Sequence, residues 1–255
     1  MRTINAEIKA AKKRISKAAI YAKYGITYKN GKIETPIGPM CELLKVGNSK
    51  TGRKVKTWSM TQSTCPVHCE NCYANFGCYN FKSVKESLAR NTELAKNHLE
   101  FLNRALRAQL ETLPAGTEIR IHAVGDFFSG EYLDMWHDIA RDFPGLIFWT
   151  YTKVRAFENA FADLENANIV KSIVDGFGFN FGHCDYIIGM YKALRKHGVK
   201  VHICRCGTDE NQHCAGCHKC SECEYVLFLE HSTSYKAQDD PRYAELVELV
   251  EHQEF

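Results

Sequence analysis

The chain has no long apolar run and no strong net charge. Nowhere do 18 consecutive apolar residues occur, the length a membrane-spanning helix needs. The first residues, Met-Arg-Thr-Ile-Asn and a basic polar stretch, lack the apolar core of a signal peptide. Together these absences predict a cytoplasmic protein with no membrane contact. The net charge of +3 is too small for a uniformly basic nucleic-acid binder. It is also uneven. Residues 1–24 hold seven Lys or Arg and one Glu, so the rest of the chain sums to −3. There is no internal repeat and no low-complexity segment.

What remains is a chain of 255 residues, 45% hydrophobic, enough for one sizeable domain or a domain with an appendage. It has twelve cysteines. In a reducing compartment, clustered cysteines read as metal ligands before disulfides. Ten fall in two groups, at 65–78 and 204–223, while Cys41 and Cys184 stand alone and read as small core residues.

Ile4, Ile8, Ala11, Ile15, Ala18 and Ala22 recur at helical spacing, predicting an amphipathic helix over 3–23 that stops at Gly25. Its basic face is either solvated or a contact for a phosphate backbone or acidic partner. Residues 42–46 and 55–59 read as a hairpin around the polar turn 48–52. A long helix is expected over 82–112. Strands then alternate with helices: 118–124, 132–141, 146–151, 156–164, 169–174, 186–196 and 199–204. Repeated strand–helix units imply a parallel sheet with covering helices. An acidic helix closes the chain over 239–255. The division expected is a basic N-terminal helix (1–31), an α/β core (32–203) and a cysteine-rich extension (204–255).

The first group, Cys65, Cys69 and Cys72, has the spacing C-x3-C-x2-C at a strand end. A structural zinc site or a closed [4Fe–4S] cluster would need a fourth ligand, Cys78 or, for zinc, His68. An open cluster would leave one iron free. The spacing, followed by a helix and a strand–helix series, resembles the radical S-adenosylmethionine (SAM) enzymes. That resemblance implies a partial (βα) barrel, a [4Fe–4S] cluster on Cys65, Cys69 and Cys72, and reductive cleavage of SAM to a 5′-deoxyadenosyl radical. It also implies an electron donor such as a flavodoxin or ferredoxin, and a substrate the sequence does not identify. Gly125 and Asp126 stand where the superfamily holds the methionine ammonium. Thr152 and Lys153 are candidates for ribose or carboxylate, and Asn180 is a third strand-end candidate. Asn71 occupies the place before the third cysteine where an aromatic residue is usual; here the aromatic, Tyr73, follows it.

The second group runs Cys204-x-Cys206, then Cys214-x2-Cys217-x2-Cys220-x2-Cys223. Two-residue gaps suit both iron–sulfur loops and zinc knuckles. His202, His213 and His218 are alternative ligands. The string Arg120-Ile121-His122-Ala123-Val124-Gly125-Asp126-Phe127, then Tyr132, Trp136 and Phe148-Trp149-Thr150-Tyr151-Thr152-Lys153, resembles the phage-associated gene product 88 family. So do Thr64-Cys65-Pro66, Cys72-Tyr73-Ala74 and the late cysteines. This resemblance implies a phage or mobile-element setting and favours Cys204, Cys214, Cys217 and Cys220 as the second ligand set, for an auxiliary [4Fe–4S] cluster. The other expectation is a zinc- or iron–sulfur-stabilised protein that binds nucleic acid through its basic arm.

Overall fold

The computed structural model describes residues 16–47, 55–67, 72–172, 180–204, 217–229 and 237–253. The chain divides into two compact units, one of residues 1–43 with 94–113 and one of 44–93 with 114–255.

In the first unit, helix α1 (Lys17–Lys23) starts at Ser16, whose hydroxyl accepts from the Ala19 amide. Tyr24 and then Gly25, at φ +68°, end it. The part of the basic helix before Ser16 lies outside the described residues. Strands β1 (Tyr28–Lys29) and β2 (Lys32–Ile33) are joined by Asn30-Gly31, both at positive φ, the turn that suits a two-residue hairpin. The Tyr21 ring, fully buried, stacks on Tyr28 at 4.9 Å between centroids. Lys23 and the Tyr24 hydroxyl both donate to the Glu111 carboxylate.

The second unit is built on a sheet. Strand β3 (Lys45–Val46) pairs antiparallel with β4 (Lys56–Trp58), as the hairpin reading predicts; its turn lies outside the described residues. The predicted helix over 82–112 is two helices, α2 (Lys82–Asn97) and α3 (Leu99–Leu110). His98, at φ −140°, leaves helical geometry between them. Asn97 and His98 are both weak helix formers, so the continuous apolar stripe did not reveal the break. α2 carries the chain from the second unit into the first.

From β4 the sheet continues in sequential order with β5 (Glu118–Ile121), β6 (Ile147–Thr152) and β7 (Ala167–Lys171), all parallel. Helix α4 (Gly130–Asp142) makes the crossover from β5 to β6. It begins at Ser129, which caps the Tyr132 amide. The next crossover is not the helix expected over 156–164. It is a short 3₁₀ turn at Arg155–Phe157 followed by further turns. Within 155–166 the one buried residue is Phe161.

A second sheet, all parallel, has β10 (Tyr225–Leu229) between β8 (Phe181–Gly182) and β9 (Val201–Ile203). Helix α5 (Cys184–Lys196) links β8 to β9, and α6 (Tyr243–Glu251) packs on the same core through Leu246 and Val250. The sequence reading missed β10. Its run Tyr-Val-Leu-Phe-Leu is short and apolar, a strand signal, but a run of five so close to the cysteines carries no period that separates a strand from a buried loop. Cys184 is buried as expected, whereas Cys41 is exposed and is not a core residue.

Candidate metal centre and the sheet face beside it

Residues alternate across the parallel sheet. Trp58, Ile119, Ile121, Phe148 and Thr150 are buried on one side; Glu118, Arg120, Trp149, Tyr151, Asn168 and Val170 line the other, paired by register across β5, β6 and β7. On the first side the Trp58 indole donates to the Tyr132 hydroxyl at 2.8 Å, and that hydroxyl lies 2.9 Å from His122 Nε2. Because the tyrosine oxygen accepts from Trp58, its own proton is free to go to His122. The imidazole is then neutral, and burial pushes its pKa down to about 3.

The first cysteine loop leaves the carboxyl end of β4. Met60 N donates to Val124 O, and Thr64 closes a 3₁₀ turn just before Cys65. Gly125, at φ +91°, lies against this turn. A Cβ there would stand 2.8 Å from Thr64 Oγ1 and 3.1 Å from Met60 Cβ. Gly125→Ala should therefore lose about 2–4 kcal/mol, from backbone strain and overlap together. It should also shift the segment carrying Cys65. Urea unfolding and metal per chain in the purified variant measure the two effects; unchanged values in both would refute the close-packing account.

Asp126 is 5% exposed. Its carboxylate accepts from Phe127 N at 2.7 Å, Thr152 Oγ1 at 2.9 Å and Lys153 N at 2.9 Å. Burial holds its pKa above the ordinary carboxylate value, against the pull of those donors. Asp126 thus staples the end of β5 to the end of β6. Thr152, 1% exposed, also accepts from Val154 N, so little of its hydroxyl is left for a ribose. The Lys153 amide serves Asp126, while its side chain is half-buried. Asn180 donates to Lys171 O and Val226 O, and this ties β7 to β10. Of the strand-end residues expected to hold a cofactor, the half-buried Lys153 side chain keeps the most freedom to do so.

Cys65 and Cys72 are half-buried, and both act electrostatically on the Tyr73 hydroxyl. That hydroxyl donates to Ala123 O at the end of β5. The aromatic residue after the third cysteine therefore anchors the loop to the sheet. Cys69 and its neighbours His68 and Asn71 lie outside the described residues. Cys78 is exposed.

Cys220 and Cys223 of the second cysteine group lie against the other sheet face. Asn168 Nδ2 donates to Cys220 O and Cys223 O, the Tyr151 hydroxyl is 3.1 Å from Cys220 Sγ, and His218 Nδ1 bonds the buried Glu118. Trp149 Nε1 donates to the other Glu118 oxygen at 3.2 Å. Cys204, at the end of β9, and Cys220 pack on the same small cluster as Val170 and Cys223. Burial pushes the Cys223 thiol up to about 12, so it behaves as a neutral core group. Cys217 Sγ and His202 Nε2 stand 3.6 Å apart. Two ligands of one tetrahedral metal, at about 2.0–2.3 Å from it, stand at about that separation. Soft thiolates beside an imidazole suit iron–sulfur or zinc. Among the described residues no three ligands close on one point; Cys206, Cys214 and His213 lie outside them.

Sequence reasoning assigned no role to Glu118, Arg120 or Tyr151. The signal was present: charged residues alternate with apolar ones in Glu118-Ile119-Arg120-Ile121, on a strand that is buried at three of its four positions.

The molecule is thus a mixed α/β protein whose parallel sheet carries cysteine groups at a strand end and on one face. The family model for gene product 88 matches residues 23–176, and the chain belongs to that family. Gene 88 proteins of Mycobacterium phages D29 and L5 are each 32% identical to it over 87 residues, 29% of this chain and 36% of theirs. The chain therefore matches little more than a third of these relatives' length. No solved structure matches it. No helix among the described residues is long and apolar enough to cross a membrane.

Proposed function

We propose that the protein is a radical SAM-type iron–sulfur enzyme of a phage or mobile element. The observation that carries this reading is positional. Cys65 and Cys72 follow the first of four parallel strands laid down in sequential order, β4-β5-β6-β7. Ligands of parallel α/β sheets gather at the carboxyl ends of such strands. Cys65, Cys69 and Cys72 would hold an open [4Fe–4S] cluster, and Cys204, Cys214, Cys217 and Cys220 a second one. When loaded, these groups supply one-electron cleavage of SAM. The protein's part is to orient the cofactor and exclude water. Tyr73 and Gly125 support that part by fixing the cysteine loop against β5.

Anaerobic reconstitution followed by reduction with SAM should yield 5′-deoxyadenosine. Cys72→Ala should abolish it, and Cys78→Ala should leave it intact. A fully loaded, reduced protein that makes none would sink the proposal. A zinc-stabilised binding protein is the second reading, favoured by the Cys217–His202 spacing. Metal analysis decides: about four to eight irons with matching sulfide per chain support the enzyme, and about one or two zincs support the binding protein.

A further inference from the structure

Arg120 stands at the middle of β5 on the face that carries the second cysteine group. Its guanidinium lies over the Trp149 ring, 5.2 Å from the centroid, and 6.0 Å from that of Tyr151. Nε is buried without a hydrogen-bond partner. Among the described residues the side chain forms no hydrogen bond and no ion pair. The carboxylate on the same strand face, Glu118, is taken by Trp149 and His218. A guanidinium offers five donors in a rigid fork, and leaving them unused in a half-buried place is costly. Stacking on an aromatic ring recovers part of that cost and leaves the fork's edge open.

The surroundings on this face are given by geometry. The Tyr151 hydroxyl is 3.1 Å from Cys220 Sγ, and Asn168, paired in register with Trp149, donates to Cys220 O and Cys223 O. Arg120 therefore lies one aromatic ring away from Cys220. We infer that Arg120, stacked on Trp149 and Tyr151, binds the anionic group of the substrate, a carboxylate or a phosphate, beside Cys220 of the second cysteine group. A planar fork over aromatic rings pairs with a two-oxygen anion in two parallel bonds, and the rings pack the body of the same molecule. The inference goes beyond SAM cleavage and is testable without turnover.

The full, metal-loaded chain is titrated with inorganic phosphate and, separately, sodium acetate in chloride buffer of constant ionic strength, with the thermal midpoint as readout. Wild type should show a saturable rise with one of the two. Phosphate would point to a phosphorylated substrate and acetate to a carboxylate. Arg120→Gln should weaken the apparent affinity at least about tenfold. Arg120→Lys, which keeps the charge and loses the fork, should weaken it less, and it carries the test if the glutamine variant does not fold. No saturable rise in wild type, an equal rise in Arg120→Gln, or displacement of the anion by SAM would each overturn the assignment. So would a glutamine variant altered only in metal loading, since the arginine would then serve the metal centre. Failure to make 5′-deoxyadenosine leaves every one of these readings intact.

Discussion

Between pH 7 and pH 4 the protein should lose about 3 kcal/mol more stability than a variant carrying His122→Asn. Burial holds the folded pKa of His122 near 3, against 6.5 for an ordinary histidine. The folded state keeps the ring neutral while the unfolded chain takes up a proton below pH 6.5. The contribution is therefore whole above pH 6.5 and is lost as pH falls toward 3, at about 1.36 kcal/mol per unit. The cause is visible in the packing. His122 is 3% exposed, lies edge-on to Phe127, and accepts from Tyr132, which is itself fixed by Trp58. An imidazolium there would need a second acceptor, and the face offers none among the described residues. Asparagine suits the exchange because position 122 has φ +62°, which asparagine tolerates better than most residues. The variant should be less stable at neutral pH but flatter with pH. Thermal melts of both proteins at pH 7 and pH 4 make the comparison, at roughly 2–4 °C per kcal/mol. Parallel pH slopes would remove His122 from the account.

The second large effect is at Asp126. Asp126→Ala should cost about 3–5 kcal/mol, because three donors in a buried site lose their acceptor together. Two are backbone amides, Phe127 N and Lys153 N, which have no freedom to turn toward water. The third, the Thr152 hydroxyl, can rotate but is 1% exposed. Asp126→Asn should cost only about 1–2 kcal/mol. Its remaining oxygen can keep the two bonds now made by Oδ1, and only the Lys153 amide then faces a donor. Urea denaturation of the two variants gives the ordering directly. If asparagine proves as damaging as alanine, charge rather than acceptor geometry is what the site requires. If alanine is harmless, the ends of β5 and β6 are joined by something other than this carboxylate.

Much of the core was legible because its signals are local. Apolar residues alternating with charged ones in Glu118-Ile119-Arg120-Ile121 and the apolar, aromatic run Leu146-Ile147-Phe148-Trp149 announce parallel strands. The 3.6-residue spacing of Tyr132, Trp136 and Ile139 announces α4, and the structure has both. Cys184, read as a lone small core residue, is buried at the first position of α5. Errors came where the same local signal is shared by two outcomes. The leucine stripe through 88–110 continues across His98, so periodicity cannot see the break between α2 and α3. Ala156–Leu164 has helix-forming composition, yet the crossover closes with turns around Phe161. Cys41 is small and apolar by type, but its neighbours leave it exposed.

The residue types themselves determined that this chain can hold soft metals: two groups of cysteines at two- and three-residue gaps, one at the end of a strand. Spacing along the chain is covalent, so no folding is needed to read it. Which side chains remain free for a ligand was decided only by tertiary structure. Asp126, Thr152 and Asn180 each look like cofactor contacts in one dimension, and each spends its polar atoms joining neighbouring strands. Arg120 looked like one more strand residue, and it stacks on Trp149 with its Nε buried and without a hydrogen-bond partner. The reason is physical: hydrogen bonds between strand ends more than 25 residues apart in sequence depend on register and sheet order, which no local pattern encodes.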